Sequence, residues 1–110
     1  VNDYELLVIP GGVKAMEKVR QDLDIIKFIF DFDKEKKIIA CICSGAQLLI
    51  SAKVVKGRKI SGYYSMKDDL INAGAIYTDL PAVIDDNIIT TAHYKDMGPW
   101  MKAVIEKINN

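Results

Sequence analysis

The segment Lys37–Cys43 (KIIACIC) constrains the fold more than any other part of the sequence, because it is apolar without interruption and stops at a cysteine. An apolar run with no polar alternation predicts a strand buried on both faces, as in a parallel sheet covered by helices. Ser44 and Gly45 follow at once and open a second apolar run, Gly45–Ala52, with helical character. We therefore expect a sharp turn from a buried strand into a helix.

The first third of the chain supplies a strand and a helix that fit the same sheet. Glu5–Pro10 (ELLVIP) is a short apolar run stopped by a Pro-Gly-Gly turn, and it predicts another buried strand. A helix is predicted from about Lys14 to Phe32, where one apolar stripe recurs at spacings of three and four: Met16, Val19, Leu23, Ile26 and Phe30. Strand, helix and strand form a right-handed βαβ unit, so the sequence predicts an α/β fold.

The remaining sequence predicts shorter elements. A short strand is expected within KGRKISG, and a helix within SMKDDLINAGA, with Ser65 as its N-cap and Gly74 at its C-terminal end. Residues 82–91 predict a strand pair that turns at Asp86-Asn87. The last helix is expected to begin near Asp96, with one buried apolar face: Met97, Trp100, Met101, Val104, Ile105 and Ile108.

Length, charge and cysteine content exclude several classes of protein. A chain of 110 residues is at most one domain, and its formal net charge of zero gives no argument for binding nucleic acid. Cys41 and Cys43 lie only two residues apart in an apparent strand, where a mutual disulfide is geometrically poor, and this fits a cytoplasmic setting. With His93 they are too few for a structural zinc site, so no metal is expected. No apolar stretch is long enough for a membrane span, and no signal peptide opens the chain.

The corner after the strand predicts a reactive cysteine. A nucleophile on a tight strand-to-helix turn projects above the sheet, where backbone amides at the start of the helix favour the thiolate. Gly45 removes a Cβ that would crowd this turn, and the backbone N–H groups of Gly12 and Ser44 are candidates for an oxyanion hole. The alternative from the local pattern alone is that Cys43 is a small core residue.

Three segments carry a resemblance to a known family: VIPGG, the long run from Ala40 to Ala75 (ACICSGAQLLISAKVVKGRKISGYYSMKDDLINAGA), and NIITTAHYKDMGPWMKAV. Together they resemble the PfpI-type intracellular peptidases of the ThiJ/PfpI superfamily, over nearly the whole chain. The resemblance implies a flavodoxin-like three-layer sandwich with a mostly parallel sheet, and assembly into dimers or rings of dimers. It implies no cofactor, and it implies peptidase, glyoxalase, deglycase or stress-protection roles.

The resemblance also implies roles for individual residues. The family nucleophile matches Cys43, and the Pro-Gly-Gly turn matches Pro10, Gly11 and Gly12. Glu17 matches a glutamate that reaches the active site of a neighbouring subunit in the family. The alternative for Glu17 is an ordinary glutamate near a helix start, where the helix dipole favours a carboxylate.

Two departures from the family pattern affect these expectations. Ser44 stands where the family has a histidine, and a serine cannot serve as a general base near neutral pH. The upstream strands of the family have no counterpart, so residues 1–110 are expected to be a single, partial domain without its N-terminal portion. The strand ELLVIP is then left with an unpaired edge, and we expect a missing segment or a second chain to cover it.

Other side chains are weaker site candidates. His93 follows the strand IITTA and could replace the missing base, although a surface or backbone-bonded histidine is the simpler interpretation. Tyr63 and Tyr64 are candidates for the wall of a pocket. Asp68 and Asp69 are expected to be first-turn carboxylates of their helix rather than catalytic groups.

Three functional hypotheses remain open at this stage. The leading one is a cysteine-dependent hydrolase-like protein in which Cys43 attacks a carbonyl, Glu17 acts from a neighbouring subunit, and peptidase activity is weak because of Ser44. Attack on a reactive aldehyde, as in a glyoxalase or deglycase, demands less help than amide cleavage. The non-enzymatic alternative is a redox-sensing or stress-protective protein that uses oxidation of Cys43. A degenerate member that acts as an assembly subunit is the third.

Overall fold

A four-stranded mixed sheet forms the centre of the computed structural model, which describes residues 3–110. Six strands are present in this part of the chain: β1 (Leu6–Ile9), β2 (Ile38–Ile42), β3 (Lys59–Ile60), β4 (Ile76–Tyr77), β5 (Val83–Asp85) and β6 (Ile88–Thr91). The helices are α1 (Val13–Val19), α2 (Leu23–Lys34), α3 (Ala46–Ser51), α4 (Lys67–Asn72) and α5 (Met97–Ile108). The large sheet has the order β1-β2-β6-β5, and β3 pairs with β4 in a separate two-stranded sheet.

The register of the parallel strands determines where a site can form. Ile9 of β1 lies opposite Cys41 of β2, and Ile42 of β2 lies opposite Thr91 of β6. The carboxyl ends of the three parallel strands therefore meet at one edge of the sheet, which is where ligands bind in open α/β sheets. Only β5 is antiparallel, so the predicted α/β fold with a mostly parallel sheet is confirmed.

Helices cover both faces of the sheet and form two apolar clusters. The larger cluster packs α2, α3 and α4 against one face, and its fully buried side chains include Ile29, Phe32, Leu49 and Leu70. On the other face, α5 places Trp100 and Val104 beside Ile42 and Ile89. The Trp100 indole N–H donates a hydrogen bond to the Ile89 carbonyl at 3.2 Å, which satisfies its polar atom in the core.

The single helix predicted from Lys14 to Phe32 is wrong, because the chain breaks it into α1 and α2. Asp22 begins α2 as its N-cap, and its carboxylate accepts hydrogen bonds from the backbone N–H groups of Asp24 (3.0 Å) and Ile25 (3.3 Å). Such a cap stabilises a helix start by about 1 kcal/mol. The break shifts the helical phase, so Leu23 and Phe30 are exposed, while Ile29 and Phe32 are buried instead.

Several short elements match the sequence predictions, and one cap does not. The hairpin of β5 and β6 turns at Asp86, whose backbone is left-handed with φ +54°. Gly74 follows α4 with φ +95°, as expected for a glycine at a helix end. Ser65 is not the N-cap of α4, because a 3₁₀ turn from Tyr64 to Met66 precedes the helix and Met66 takes the cap position.

The structure leaves two apolar surfaces uncovered within residues 3–110. In α5 the predicted buried face holds only for Trp100 and Val104, and its other four members are exposed: Met97, Met101, Ile105 and Ile108. Strand β1 is an edge strand, and the side chain of Val8 in its middle is 48% exposed. None of the helices in this part of the chain has the length and apolar character needed to cross a bilayer.

Candidate active site

A strained backbone lies at the corner between β2 and α3. Ile42 ends the strand with an extended backbone (φ −131°, ψ 142°), and Cys43 then adopts φ +58° before a 3₁₀ turn leads into α3. A left-handed backbone costs a non-glycine residue roughly 1–2 kcal/mol. Strain of this kind at a buried residue is typical of functional sites, where the surrounding structure maintains it.

Glycines allow the chain to pack tightly around this corner. A Cβ on Gly45 would lie 2.9 Å from the Cys41 sulfur and equally close to the side chain and carbonyl oxygen of Ile9. A Cβ on Gly62 would lie 2.9 Å from Leu70 and 3.0 Å from Ala46. The corner is therefore packed between β1 on one side and α4 on the other. A Cβ at position 45 would crowd this turn, as the sequence predicted.

The sulfur of Cys43 lies in a narrow and chemically mixed environment. Cys43 is 8% exposed, and its Sγ is 3.8 Å from the Ser44 hydroxyl. A Cβ built on Gly11 would lie 2.8 Å from the Cys43 Cβ and 2.9 Å from the Tyr94 hydroxyl. Cys43 is thus packed against the Pro-Gly-Gly turn and a tyrosine, with only a small opening to solvent.

Cys41 differs sharply from Cys43, although the two are separated by a single residue. Both thiols are free, and they lie in different apolar clusters because the backbone leaves the strand conformation at Cys43. Cys41 faces the larger apolar cluster, and burial raises the pKa of its thiol far above the ordinary range, with a smaller contribution from Cys43. Cys41 is therefore a core residue with an unreactive thiol, which leaves Cys43 as the candidate nucleophile.

Beside the corner lies a cleft of about 560 Å³. Its polar lining combines Glu17 and Arg20 from α1 with Ser44 and Gln47 from the corner, and Asp69 and Asn72 from α4. The Arg20 guanidinium donates to the Ser51 hydroxyl at 2.9 Å and to the Gln47 side-chain oxygen at 3.3 Å, which holds this wall in place. Glu17 and Ser44 share this cleft within one chain, whereas Cys43 does not line it.

The three aromatic candidates form a group of their own. The Tyr63 ring centroid lies 5.6 Å from Tyr64 and 6.2 Å from His93. The backbone N–H of Tyr63 donates to the Cys43 carbonyl at 3.1 Å, so Tyr63 adjoins the corner through its main chain. The His93 Nδ1 accepts a hydrogen bond from the Lys95 N–H at 3.0 Å, which caps the turn after β6. None of the three lines the 560 Å³ cleft.

The acidic candidates are divided between cleft and surface. Asp68 and Asp69 both lie in the first turn of α4, and Asp69 lines the cleft. Within residues 3–110 no cluster of histidine, cysteine and carboxylate side chains has an arrangement that could hold a metal ion.

Tyr94 is the site residue that sequence reasoning missed. A Cβ built on Gly11 would lie 2.9 Å from its hydroxyl, so Tyr94 comes close to Gly11 and Cys43, although these residues lie in distant parts of the sequence. The available signal was topological: Tyr94 closely follows the carboxyl end of β6, and that end lies beside the end of β2.

Comparisons with known proteins agree with this geometry. A sequence model of the DJ-1/PfpI family matches residues 1–107. Deglycase PfpI of Pyrococcus furiosus is 38% identical over 105 residues, covering 96% of this chain and 63% of that protein. General stress protein 18 of Bacillus subtilis is 38% identical, with 96% of this chain and 63% of that protein covered. The chain thus spans less than two thirds of the length of these relatives.

A solved structure shows the same fold. A two-domain protein of Anabaena variabilis, with DJ-1/ThiJ/PfpI-like and ferritin-like domains, superimposes with a TM-score of 0.94 at 30% identity. The match covers 98% of this chain and 31% of that one. Since the family match spans nearly every residue and the strained cysteine stands at the corner where the resemblance places the nucleophile, the chain belongs to the DJ-1/PfpI family.

Proposed function

We propose that the protein is a cysteine-dependent enzyme in which the Cys43 thiolate attacks the carbonyl carbon of a small reactive aldehyde. The observation that carries this proposal is the left-handed backbone of Cys43 at the end of β2. Folding alone would favour glycine at such a position, whereas a nucleophile requires a side chain there. The name of the Pyrococcus furiosus relative, a deglycase, supports chemistry on carbonyl adducts.

Two features favour an aldehyde over a peptide as the substrate. Amide cleavage needs a proton donor for the leaving amine, and Ser44 cannot act as one near neutral pH. Addition of a thiolate to an aldehyde releases no leaving group. The small opening above Cys43 also suits a compact molecule better than an extended peptide. Peptidase activity is therefore expected to be weak or absent.

The remaining site residues have supporting roles in this proposal. The backbone N–H groups of Gly12 and Ser44 stabilise the oxyanion, and Gly11 and Gly45 leave room for the close approach. Glu17 acts in an assembly of identical chains. Because Glu17 and Ser44 line one cleft, two clefts that face each other across a twofold axis would place Glu17 of each copy near the other copy's cleft.

The test is turnover of glyoxal or methylglyoxal by the wild type and by two matched variants. Cys43→Ala is expected to abolish turnover, and Cys41→Ala, which removes the inert thiol, is expected to retain it once the folded fraction is equal. Turnover that survives in Cys43→Ala would refute the proposal.

Oxidation of Cys43 is a second candidate function. The small opening admits hydrogen peroxide more readily than a larger substrate, and General stress protein 18 is among the relatives. In this reaction the thiolate takes one oxygen from peroxide to form a sulfenate, and water is released. Rapid mass gain at Cys43 with peroxide, together with no aldehyde turnover, would favour this role over the enzymatic one.

A further inference from the structure

The Tyr94 hydroxyl and the sulfur of the proposed nucleophile both lie close to Gly11. A Cβ on Gly11 would be 2.9 Å from the Tyr94 oxygen and 3.3 Å from the Cys43 sulfur. The hydroxyl and the sulfur thus approach the same point above the Gly11 Cα. Gly11 adjoins Gly12, whose N–H is a candidate oxyanion donor, so a substrate oxygen bound by that N–H would lie near the Tyr94 hydroxyl.

The phenol of Tyr94 is available to a substrate. Within residues 3–110 the hydroxyl has no hydrogen-bond partner, although its ring is fixed edge-on against His93 with centroids 6.3 Å apart. The residue is 47% exposed, so its outer side faces solvent while its hydroxyl faces the corner. A phenol O–H can donate a hydrogen bond and its oxygen can accept one.

We infer that Tyr94 is a catalytic residue, whose hydroxyl donates a hydrogen bond to the oxyanion formed when Cys43 adds to an aldehyde. This inference rests on the proposed function and names the donor side chain that it uses. Ser44 cannot act as an acid or base near neutral pH, so Tyr94 is the side chain that supplies a hydrogen-bond donor at this site.

The step forms a C–S bond and an O–H bond, breaks the S–H bond, and converts the C=O double bond to a single bond. The Cys43 thiol first loses its proton to water, and a sulfur lone pair then forms a bond to the carbonyl carbon. The π electrons of the C=O bond move to oxygen, where the Tyr94 O–H and the backbone N–H groups stabilise the negative charge. Protonation of that oxygen gives a neutral hemithioacetal, and water restores the proton if the phenol supplies it.

The experiment compares Tyr94→Phe with the wild type in two reactions of the same sulfur. Removing one oxyanion donor lowers the turnover of glyoxal by about 10²-fold or more. Alkylation of Cys43 by iodoacetamide is a displacement at saturated carbon that forms no oxyanion, so its rate should stay within about twofold. Tyr4→Phe is the matched control, because Tyr4 is exposed and lies at the amino end of β1, away from the carboxyl ends of the strands where Cys43 lies.

A third measurement separates failure of this inference from failure of the proposed function. A non-turnover aldehyde such as acetaldehyde should protect Cys43 from iodoacetamide, and Tyr94→Phe should weaken that protection at least tenfold. Protection lost in Tyr94→Phe without turnover in the wild type supports the Tyr94 donor and refutes the enzyme. Normal turnover with equal protection in both proteins refutes the donor and leaves the enzyme. Faster alkylation of Tyr94→Phe with unchanged turnover would show that Tyr94 only shields the Cys43 sulfur from solvent, and it would refute the donor role. If acetaldehyde does not protect Cys43 in the wild type, attack of Cys43 on carbonyls is refuted.

Discussion

Replacing each cysteine by alanine and by glycine measures the strain at the corner. Cys43 has φ +58°, whereas Cys41, two residues earlier, lies in the extended backbone of β2. Alanine keeps the Cβ and its conflict with a left-handed backbone, while glycine removes both. The four variants form a matched set, because both positions are buried and belong to one strand and its corner.

The expected difference follows from the two backbone conformations. At Cys41, glycine is less stable than alanine by the ordinary cost of glycine in a strand, about 0.5–1 kcal/mol, plus about 0.8 kcal/mol for the lost buried methyl. At Cys43 the same two costs are offset by relief of the left-handed strain, roughly 1–2 kcal/mol. The alanine-to-glycine difference in the free energy of unfolding is therefore larger at Cys41, by about 1–2 kcal/mol.

Urea and thermal unfolding followed by circular dichroism measure these differences. For a domain of this size, 1 kcal/mol corresponds to a shift of about 4 °C or more in the unfolding midpoint. Midpoints that respond equally to glycine at both positions would refute the idea that the protein stores strain at Cys43. The unfolded-state effect of glycine is common to both positions, so it does not enter the comparison.

Three other predictions test the packing around the site. Gly45→Ala should destabilise the protein by about 1–3 kcal/mol, because the new Cβ would meet the Ile9 backbone. Gly98→Ala has open space in α5 and should stabilise the protein by up to about 1 kcal/mol. Equal unfolding midpoints for the two variants would contradict this. Burial raises the pKa of the Cys41 thiol in the folded protein above its pKa in the unfolded chain, which is about 8.5. The free energy of unfolding should therefore be constant below about pH 8.5 and fall as the pH rises above it. Urea unfolding should show this decline in the wild type and less of it in Cys41→Ala. If a second copy of the chain covers the β1 edge, Val8→Lys should reduce self-association in analytical ultracentrifugation, and unchanged association would show that this edge is not the contact.

The elements that depend on local sequence were predictable, and their interruptions were less so. The uninterrupted run before Cys43 predicted a buried strand and a sharp corner, and both are present. The stripe from Met16 to Phe30 predicted one helix, because a spacing pattern ignores a side chain that caps the backbone, as Asp22 does. The signal was in the sequence, since aspartate is a favoured N-cap, but the apolar spacing outweighed it.

The composition of the site depends on strand register, which local patterns do not reveal. Gly11, Cys43 and Tyr94 belong to three separate segments, and they meet because β1, β2 and β6 are parallel neighbours whose carboxyl ends align. A topology with the same strands in another order would separate them. Motif reasoning therefore found Gly11 and Cys43, which lie within recognisable turns, and missed Tyr94.

The choice of residues at the corner argues for a chemical role of Cys43. Four non-glycine residues between positions 3 and 110 have a left-handed backbone, and three of them lie in exposed turns: Lys36, Lys53 and Asp86. Cys43 alone combines this conformation with burial, at a corner where Gly11, Gly45 and Gly62 provide close packing. Glycine would relieve the strain at position 43, so packing alone does not explain a cysteine there. The proposed role of Cys43 as a nucleophile would explain it, because that role needs a side chain at this position to form a bond and nearby groups to stabilise the resulting charge.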